Sequence, residues 1–175
     1  LLLMREGLDL LLQKLANVID GLATFADAHK KLATLGYTHL QTAQPTTVGK
    51  RAAMWLQDLV LCMEELEQKR ASLRRLKGLK GATGTQAAML ELFDGDAEKV
   101  MEVVRRFLEK IGGEGTESFS AVGQVAPRVV DAQVLGSIAN LCAVIEKIAT
   151  DIRLLASFKE IEEPRELDQI GSSAM

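Results

Sequence analysis

Three side chains with chemical uses lie close together near position 40. Thr38 offers a hydroxyl, His39 an imidazole and Gln41 a carboxamide. These groups can donate and accept hydrogen bonds, and an imidazole can also carry a proton near neutral pH. The surrounding residues 36–51 show neither a helical nor a strand period, and a glycine and a proline within them interrupt regular structure. We therefore predict an irregular loop that presents polar groups to a ligand.

Three further polar segments interrupt the apolar patterns, at residues 80–86, 112–124 and 171–175. The first is small and hydroxylated, but it lacks the spacing of a phosphate-binding P-loop and follows no strand, so a structural turn is the simpler interpretation. The second is long and rich in glycine and serine, and long loops in helical proteins are commonly functional. It ends at Gln124, which can present a donor and an acceptor just before a helix that begins near Pro127.

Long helices must position these segments. Apolar residues recur three and four positions apart across residues 8–32, 52–76 and 134–155, which is the spacing of an amphipathic helix. The first helix is predicted to continue to residue 33. An all-α fold follows, in which rods of about 45 Å bury their apolar stripes against one another and against further copies of the chain.

Local signals mark several helix ends. Thr46 or Thr47 is a suitable N-cap for the second long helix, and Asp94-Gly95-Asp96 opens a shorter helix that ends at Gly112-Gly113. His29 occupies a position on the apolar stripe near the end of the first helix. A packing or capping role is the simpler interpretation for this histidine.

Composition and charge limit the class of protein. The net charge of −3 does not indicate a nucleic-acid surface or an electrostatic membrane anchor. No uninterrupted apolar run approaches the roughly 18 residues of a membrane span. Cys62 and Cys142 stand alone within helical patterns, without the spacing of a metal site. We interpret both as small buried hydrophobic residues in a reducing compartment, which predicts the cytoplasm.

The polar segments resemble those of a known enzyme superfamily. Gly36–Gln41 reads Gly-Tyr-Thr-His-Leu-Gln, and Gly171–Met175 reads Gly-Ser-Ser-Ala-Met. Both are similar to loops of the fumarase/aspartase superfamily of lyases, which carries a Thr-His loop and a mobile Gly-Ser-Ser-x-Met-Pro-x-Lys-x-Asn loop. Within that superfamily the chain is similar to the adenylosuccinate lyase family, through blocks at residues 46–51, 55–59, 83–87, 151–156 and 162–164.

This resemblance implies a fold and a reaction. The fold would be the long-helix bundle of the fumarase/aspartase type, whose central domain assembles into a tetrameric helical core. The reaction would be a β-elimination that releases fumarate from adenylosuccinate, giving AMP, and from the succinyl-aminoimidazole carboxamide ribotide, giving AICAR. These succinyl-purine nucleotides would be the partners, with no cofactor, no metal ion, and no binding to nucleic acid or membrane. In the superfamily, each active site combines loops from three subunits of a homotetramer.

The same resemblance assigns roles to five side chains. His39 matches the acid that protonates the departing nitrogen, and Ser172 matches the base that removes a proton beside a carboxylate. A serine hydroxyl is a weak base in water, so this assignment requires an alkoxide held by backbone amides and positive charge when its loop closes. Thr38 and Gln124 match substrate-binding positions, and Ser173 is a further candidate for that role.

The match covers nearly the whole chain, but it does not cover the whole family pattern. The sequence ends at Met175, before the family's Pro-x-Lys-x-Asn, whose lysine would supply positive charge to the serine. It also lacks the family's earlier region with a second histidine and the family's C-terminal domain. We therefore expect residues 1–175 to be the central helical-bundle domain of a longer enzyme, and to be inactive alone.

Two alternatives stay open. The argininosuccinate lyase family also shows Gly-Tyr-Thr-His-Leu-Gln and Ala-Gln-Pro, although the Thr-Val-Gly-Lys-Arg continuation at residues 47–51 argues against it. The chain could instead be a non-catalytic helical scaffold with the lyase fold, because superfamily members recruited for structural roles exist. Fumarate release by the full-length protein, from adenylosuccinate and from argininosuccinate, separates these alternatives.

Overall fold

Five helices form the frame of the part of the chain that the computed structural model describes, residues 1–162. In chain order they are α1 (Leu2–Ala28), α2 (Val48–Ser72), α3 (Ala87–Leu92), α4 (Ala97–Gly112) and α5 (Val129–Ser157). The three long helices α1, α2 and α5 are those that the apolar spacing predicts. The predicted helical-bundle fold is confirmed.

Four short strands accompany the helices within residues 1–162. β1 (Ala33–Thr38) and β2 (Gln41–Thr47) pair as an antiparallel hairpin between α1 and α2. β3 (Arg75–Leu76) pairs in parallel with β4 (Glu117–Ser118). The prediction of an irregular loop over residues 36–51 is therefore wrong. Both faces of the hairpin are largely open to solvent, so its strands depend on backbone pairing and carry no apolar alternation that could be detected.

Two helices end earlier than their apolar spacing predicts. α1 ends at Ala28 rather than at residue 33, and His29 is its C-cap. The His29 backbone N–H donates a hydrogen bond to the Phe25 carbonyl oxygen, and the His29 ring stacks on Phe25 with ring centroids 4.2 Å apart. The predicted packing or capping role of His29 is confirmed. α2 ends at Ser72, because Leu76 leaves the helical path to pair in β3. Apolar spacing continues past both ends, so it overestimates the helices.

The N-caps follow the local signals. The Thr47 hydroxyl accepts a hydrogen bond from the Lys50 backbone N–H at 3.0 Å and begins α2. The Asp96 carboxylate accepts from the Lys99 backbone N–H at 3.1 Å and begins α4. This backbone hydrogen bond lowers the pKa of the Asp96 carboxyl. Thr47 is one of the two candidates predicted to cap α2, and Asp96 lies in the segment predicted to open α4.

The main core lies where α1, α2 and α5 meet. A fully buried large apolar side chain contributes about 1.5–3 kcal/mol, so this core is the chief source of stability. Polar side chains also join α2 to α5. Glu65 of α2 accepts hydrogen bonds from Ser137 at 2.8 Å and Asn140 at 3.1 Å, both on α5. The buried core residues are Leu8, Leu15, Leu59, Cys62, Leu66, Leu73, Val134 and Leu141.

A second, smaller core lies under α4. Val100, Val104 and Leu108 of α4 pack against Leu76 of β3. β3 directly follows α2, and its partner β4 lies eleven residues before α5. This small core therefore fixes the connection between α2 and α5 at the end of the bundle where α5 begins.

α1 and α5 leave part of their apolar stripes uncovered. Val18 is 55% exposed, Ile145 51% and Ile152 43%, and all three border a groove of about 320 Å³ between the two helices. Cys142 is also exposed, so the prediction that both cysteines are buried is wrong for Cys142 and correct for Cys62. Cys142 is exposed because it lies outside the stripe of α5 that faces α2. An apolar surface of this kind is typical of a contact with another chain.

By length and composition alone, α5 is also apolar enough to cross a membrane. The absence of an uninterrupted apolar run in the sequence did not predict this property. The helix nevertheless buries Val134, Leu141 and Leu155 within the chain. It also carries an ion pair between Lys147 and Asp151, whose Nζ and Oδ2 atoms are 2.8 Å apart. These features are typical of a bundle helix whose outer face meets another chain.

Candidate functional site

The turn of the β1–β2 hairpin presents the polar cluster near position 40. Thr38 pairs with Gln41, so His39 and Leu40 form a two-residue turn. Their φ angles are 50° and 60°, as in type I′ hairpin turns, which usually contain Asn and Gly. A leucine at positive φ is strained, and such strain is concentrated at functional sites. The side chains of Thr38 and His39 are both exposed, so a ligand can reach them.

A carboxylate just beyond α5 clamps the hairpin. Glu160 accepts a hydrogen bond from the Thr34 hydroxyl at 2.5 Å and another from the Tyr37 hydroxyl at 2.8 Å. The Arg51 guanidinium lies 3.8 Å from the same carboxylate. The hydrogen bond from Thr34, followed by that from Tyr37, lowers the pKa of Glu160. The clamp therefore holds the ionised carboxylate at neutral pH.

Two further contacts complete this clamp. The Tyr37 ring stacks on Phe158, the residue just after α5, with ring centroids 4.8 Å apart. Arg51, in the first turn of α2, donates a hydrogen bond to the Leu35 carbonyl oxygen at 2.7 Å. The hairpin is thus fixed both to the end of α5 and to the start of α2. These contacts support the strand that leads to His39.

A cleft of about 440 Å³ opens beside the turn. Its lining includes His39, Arg51, Trp55 and Asp151, together with apolar side chains from the end of α5. Burial raises the pKa of Asp151, but hydrogen bonds from Lys147 and Trp55 outweigh burial and lower it overall. The cleft therefore combines an imidazole, a guanidinium and a carboxylate with an apolar floor, which suits a polar organic ligand.

Gln124 lies at the other end of the bundle. It is exposed and precedes the first residue of α5 by five positions, whereas the hairpin that carries Thr38 and His39 contacts the other end of α5 through Tyr37. A helix of 29 residues is about 43 Å long at about 1.5 Å per residue. The structure thus brings Thr38 and His39 together and keeps Gln124 far from them within one copy of the chain.

The remaining site predictions concern the end of the sequence. Ser172 and Ser173 lie outside the described residues, so their roles stay predictions. Within residues 1–162, no group of three His, Cys, Asp or Glu side chains is arranged to hold a metal ion.

Comparison with known proteins places this geometry in context. A model of the lyase family matches residues 1–175. The chain belongs to this lyase family. Over all 175 of its residues it is 48% identical to adenylosuccinate lyase of Schistosoma mansoni and 45% identical to that of Saccharomyces cerevisiae. The matched region is 36% of each relative, so the chain spans about a third of their length.

A solved structure gives the same assignment of fold. The crystal structure of 3-carboxy-cis,cis-muconate lactonizing enzyme from Pseudomonas putida superposes with a TM-score of 0.73 at 26% sequence identity. The superposition covers 89% of this lyase-family chain and 32% of that protein. This chain therefore shares its long-helix fold with that enzyme.

Sequence reasoning missed the residues that support the turn in this lyase-family chain. Arg51 and Asp151 lie within blocks that carry the family resemblance, but nothing in their sequence surroundings links them to His39. Glu160 lies 126 positions from Thr34 and 123 from Tyr37, its hydrogen-bond partners. Because these contacts join distant parts of the chain, no local pattern could reveal them.

Proposed function

We propose that the full-length protein containing this chain is an adenylosuccinate lyase of purine nucleotide biosynthesis. It would eliminate fumarate from adenylosuccinate, leaving AMP, and from the succinyl-aminoimidazole carboxamide ribotide, leaving AICAR. The observation that carries the proposal is the exposed Thr-His turn, clamped to two helices, in a chain similar along its whole length to adenylosuccinate lyases. We propose the cytoplasm as its location.

The proposed residue roles satisfy the proton balance of a β-elimination. Ser172 removes the proton from the carbon beside a carboxylate of the succinyl group, and the C–H electron pair forms the new C=C bond. The C–N bond then breaks, and His39 gives a proton to the departing nitrogen. Thr38, Gln124 and Ser173 bind the substrate and orient it for these transfers. The exposure of His39 supports its role, because a proton donor must reach the substrate.

We propose that the active sites are shared between subunits of a homotetramer. His39 and Gln124 lie at opposite ends of α5, about 43 Å of helix apart, so one copy cannot apply both to the same succinyl group. Antiparallel packing of long helices from different copies would bring the two ends together. The uncovered apolar residues of α1 and α5 support such packing. Residues 1–175 alone would be inactive, because they span about a third of the related enzymes.

Turnover by the full-length protein tests the proposal. We expect fumarate release from adenylosuccinate and from the succinyl carboxamide ribotide, and little from argininosuccinate. His39→Ala should lower kcat by about 10²–10⁴-fold, which is the usual contribution of a general acid. The oligomer and its thermal unfolding should be unchanged in this variant. Preference for argininosuccinate, or near-normal turnover by the His39 variant, would contradict the proposal.

A further inference from the structure

The turn at residues 80–86 contacts the segment that carries Gln124. The Lys80 ammonium donates hydrogen bonds to two successive backbone carbonyls, those of Phe119 and Ser120, the latter at 3.0 Å. The ammonium is charged, so these hydrogen bonds are stronger than neutral ones. Lys80 therefore ties the turn to the backbone that leads to Gln124.

A glycine provides a second, independent contact between the same two segments. Gly84 has a φ of 79°, a conformation that favours glycine, and it lies against the Val122 carbonyl and the Gly123 Cα. A Cβ added at Gly84 would collide with the Val122 carbonyl oxygen. Backbone hydrogen bonds close the turn around it, from Gly81 to Thr85 at 2.8 Å and from Gly84 to Gly81 at 3.0 Å. The turn is thus a compact unit seated on the Gln124 segment.

The Gln124 segment has little other support. β4 ends at Ser118 and α5 begins at Val129, and no helix or strand lies between them. The Gln124 side chain is itself exposed. Near the start of the segment, the Phe119 N–H donates a hydrogen bond to the Leu76 carbonyl oxygen of β3 at 2.9 Å. Beyond Phe119, the contacts of Lys80 and Gly84 act on backbone that no helix or strand holds.

We propose that residues 80–86 form a brace that positions Gln124 for the substrate, with Lys80 and Gly84 as positioning residues. The inference rests on the proposed function, because it assumes that Gln124 binds the succinyl-purine substrate. In this proposal the brace acts through the backbone of residues 119–123. A displacement of about 1 Å at a substrate-positioning group can cost about a hundredfold in rate, so a brace here affects catalysis from a distance.

A double-mutant cycle on the full-length enzyme tests the brace. We expect Lys80→Met to lower kcat/KM for adenylosuccinate by about tenfold, divided between kcat and KM in the same way as Gln124→Ala. Lys80→Arg, which keeps a charged donor, should restore most of the loss. Because Lys80 acts through Gln124, Lys80→Met should cost little more once Gln124→Ala is present. A residue that only supports folding would give additive losses.

The glycines of the turn supply a second test that does not depend on the lysine. Gly84→Ala should reproduce the kinetic defect of Lys80→Met, because the added methyl group pushes the Gln124 segment away. Gly81→Ala is the matched control, since a Cβ there meets only the Thr85 carbonyl oxygen, at an ordinary 3.6 Å. We expect Gly81→Ala to keep wild-type kinetics.

The outcomes separate the brace from the proposed function. If Gln124→Ala impairs turnover while Lys80→Met is additive with it, or Gly84→Ala behaves like Gly81→Ala, the brace is wrong and the enzymatic proposal stands. If Gln124→Ala leaves kcat and KM unchanged, the binding role of Gln124 fails and the brace fails with it. If the full-length protein releases no fumarate, the proposed function itself is wrong.

Discussion

The turn that presents His39 strains the backbone of the next residue, Leu40. Both residues of the turn have positive φ, which histidine tolerates better than most residues and leucine tolerates poorly. The Leu40 side chain is 64% exposed, so little burial offsets this strain. The contacts of the hairpin with α2 and α5 must therefore hold the turn in place.

Substitutions at Leu40 test this strain. Leu40→Gly should raise the stability of the full-length protein by up to about 1 kcal/mol, because glycine adopts positive φ without steric cost. Leu40→Val should lower it, because a β-branched residue is the least suited to that region. Thermal unfolding of the two variants under identical conditions measures the difference. A melting temperature for Leu40→Val equal to or above that of Leu40→Gly would show that the turn is unstrained.

At the scale of helices and strands, the sequence could predict the helix starts but not the hairpin. The N-caps at Thr47 and Asp96 were predictable because a cap depends on a hydrogen bond between residues three positions apart. The strands were not predictable, because their polar, exposed residues leave no apolar alternation. Glu160 was missed because its contacts with the hairpin depend on tertiary structure.

The Glu160 clamp should make the hairpin sensitive to acid. The folded pKa of Glu160 lies below its ordinary value of 4.5, so the unfolded chain binds more protons as the pH falls. The stability from this carboxylate is therefore fully present above about pH 4.5 and is lost as the pH falls through the folded pKa. Glu160→Gln should cost about 1 kcal/mol at pH 7, and its difference from wild type should shrink below pH 4.5.

Unfolding by denaturant between pH 7 and pH 3 measures this effect. Glu162→Gln is the matched control, because Glu162 is an exposed carboxylate two residues further along the chain. We expect that control to leave stability unchanged at every pH. A constant difference between Glu160→Gln and wild type across the range would exclude the ionised carboxylate as the clamp.

At the scale of the whole molecule, the uncovered apolar surface and the separated site residues have a common explanation. Side-chain types identified His39 and Gln124 as candidates, but their placement at opposite ends of α5 depends on helix directions that composition and period do not specify. Packing between copies would cover Ile145 and Ile152 and bring distant ends together. This agrees with our proposal that the site is a property of the assembly rather than of one chain.

A charge on this surface should disrupt the assembly. Ile145→Glu in the full-length protein should shift the proposed tetramer to smaller species, because a buried unpaired carboxylate is costly. Met101→Glu is the control: Met101 is 62% exposed but lies on α4 among charged residues, away from the α1–α5 groove. Analytical ultracentrifugation measures both variants. A Met101 variant that dissociates while the Ile145 variant stays tetrameric would place the subunit contact on α4.

The proposed sharing of active sites is tested most directly by mixing two impaired variants of the full-length enzyme. His39→Ala and Gln124→Ala tetramers are dissociated, combined in equal amounts and reassembled, and fumarate release from adenylosuccinate is measured. If each site takes His39 and Gln124 from different copies, about a quarter of the sites contain both residues after random mixing. The mixture should then recover turnover far above either parent. Verified hybrid tetramers with no more turnover than the parents would contradict a shared active site.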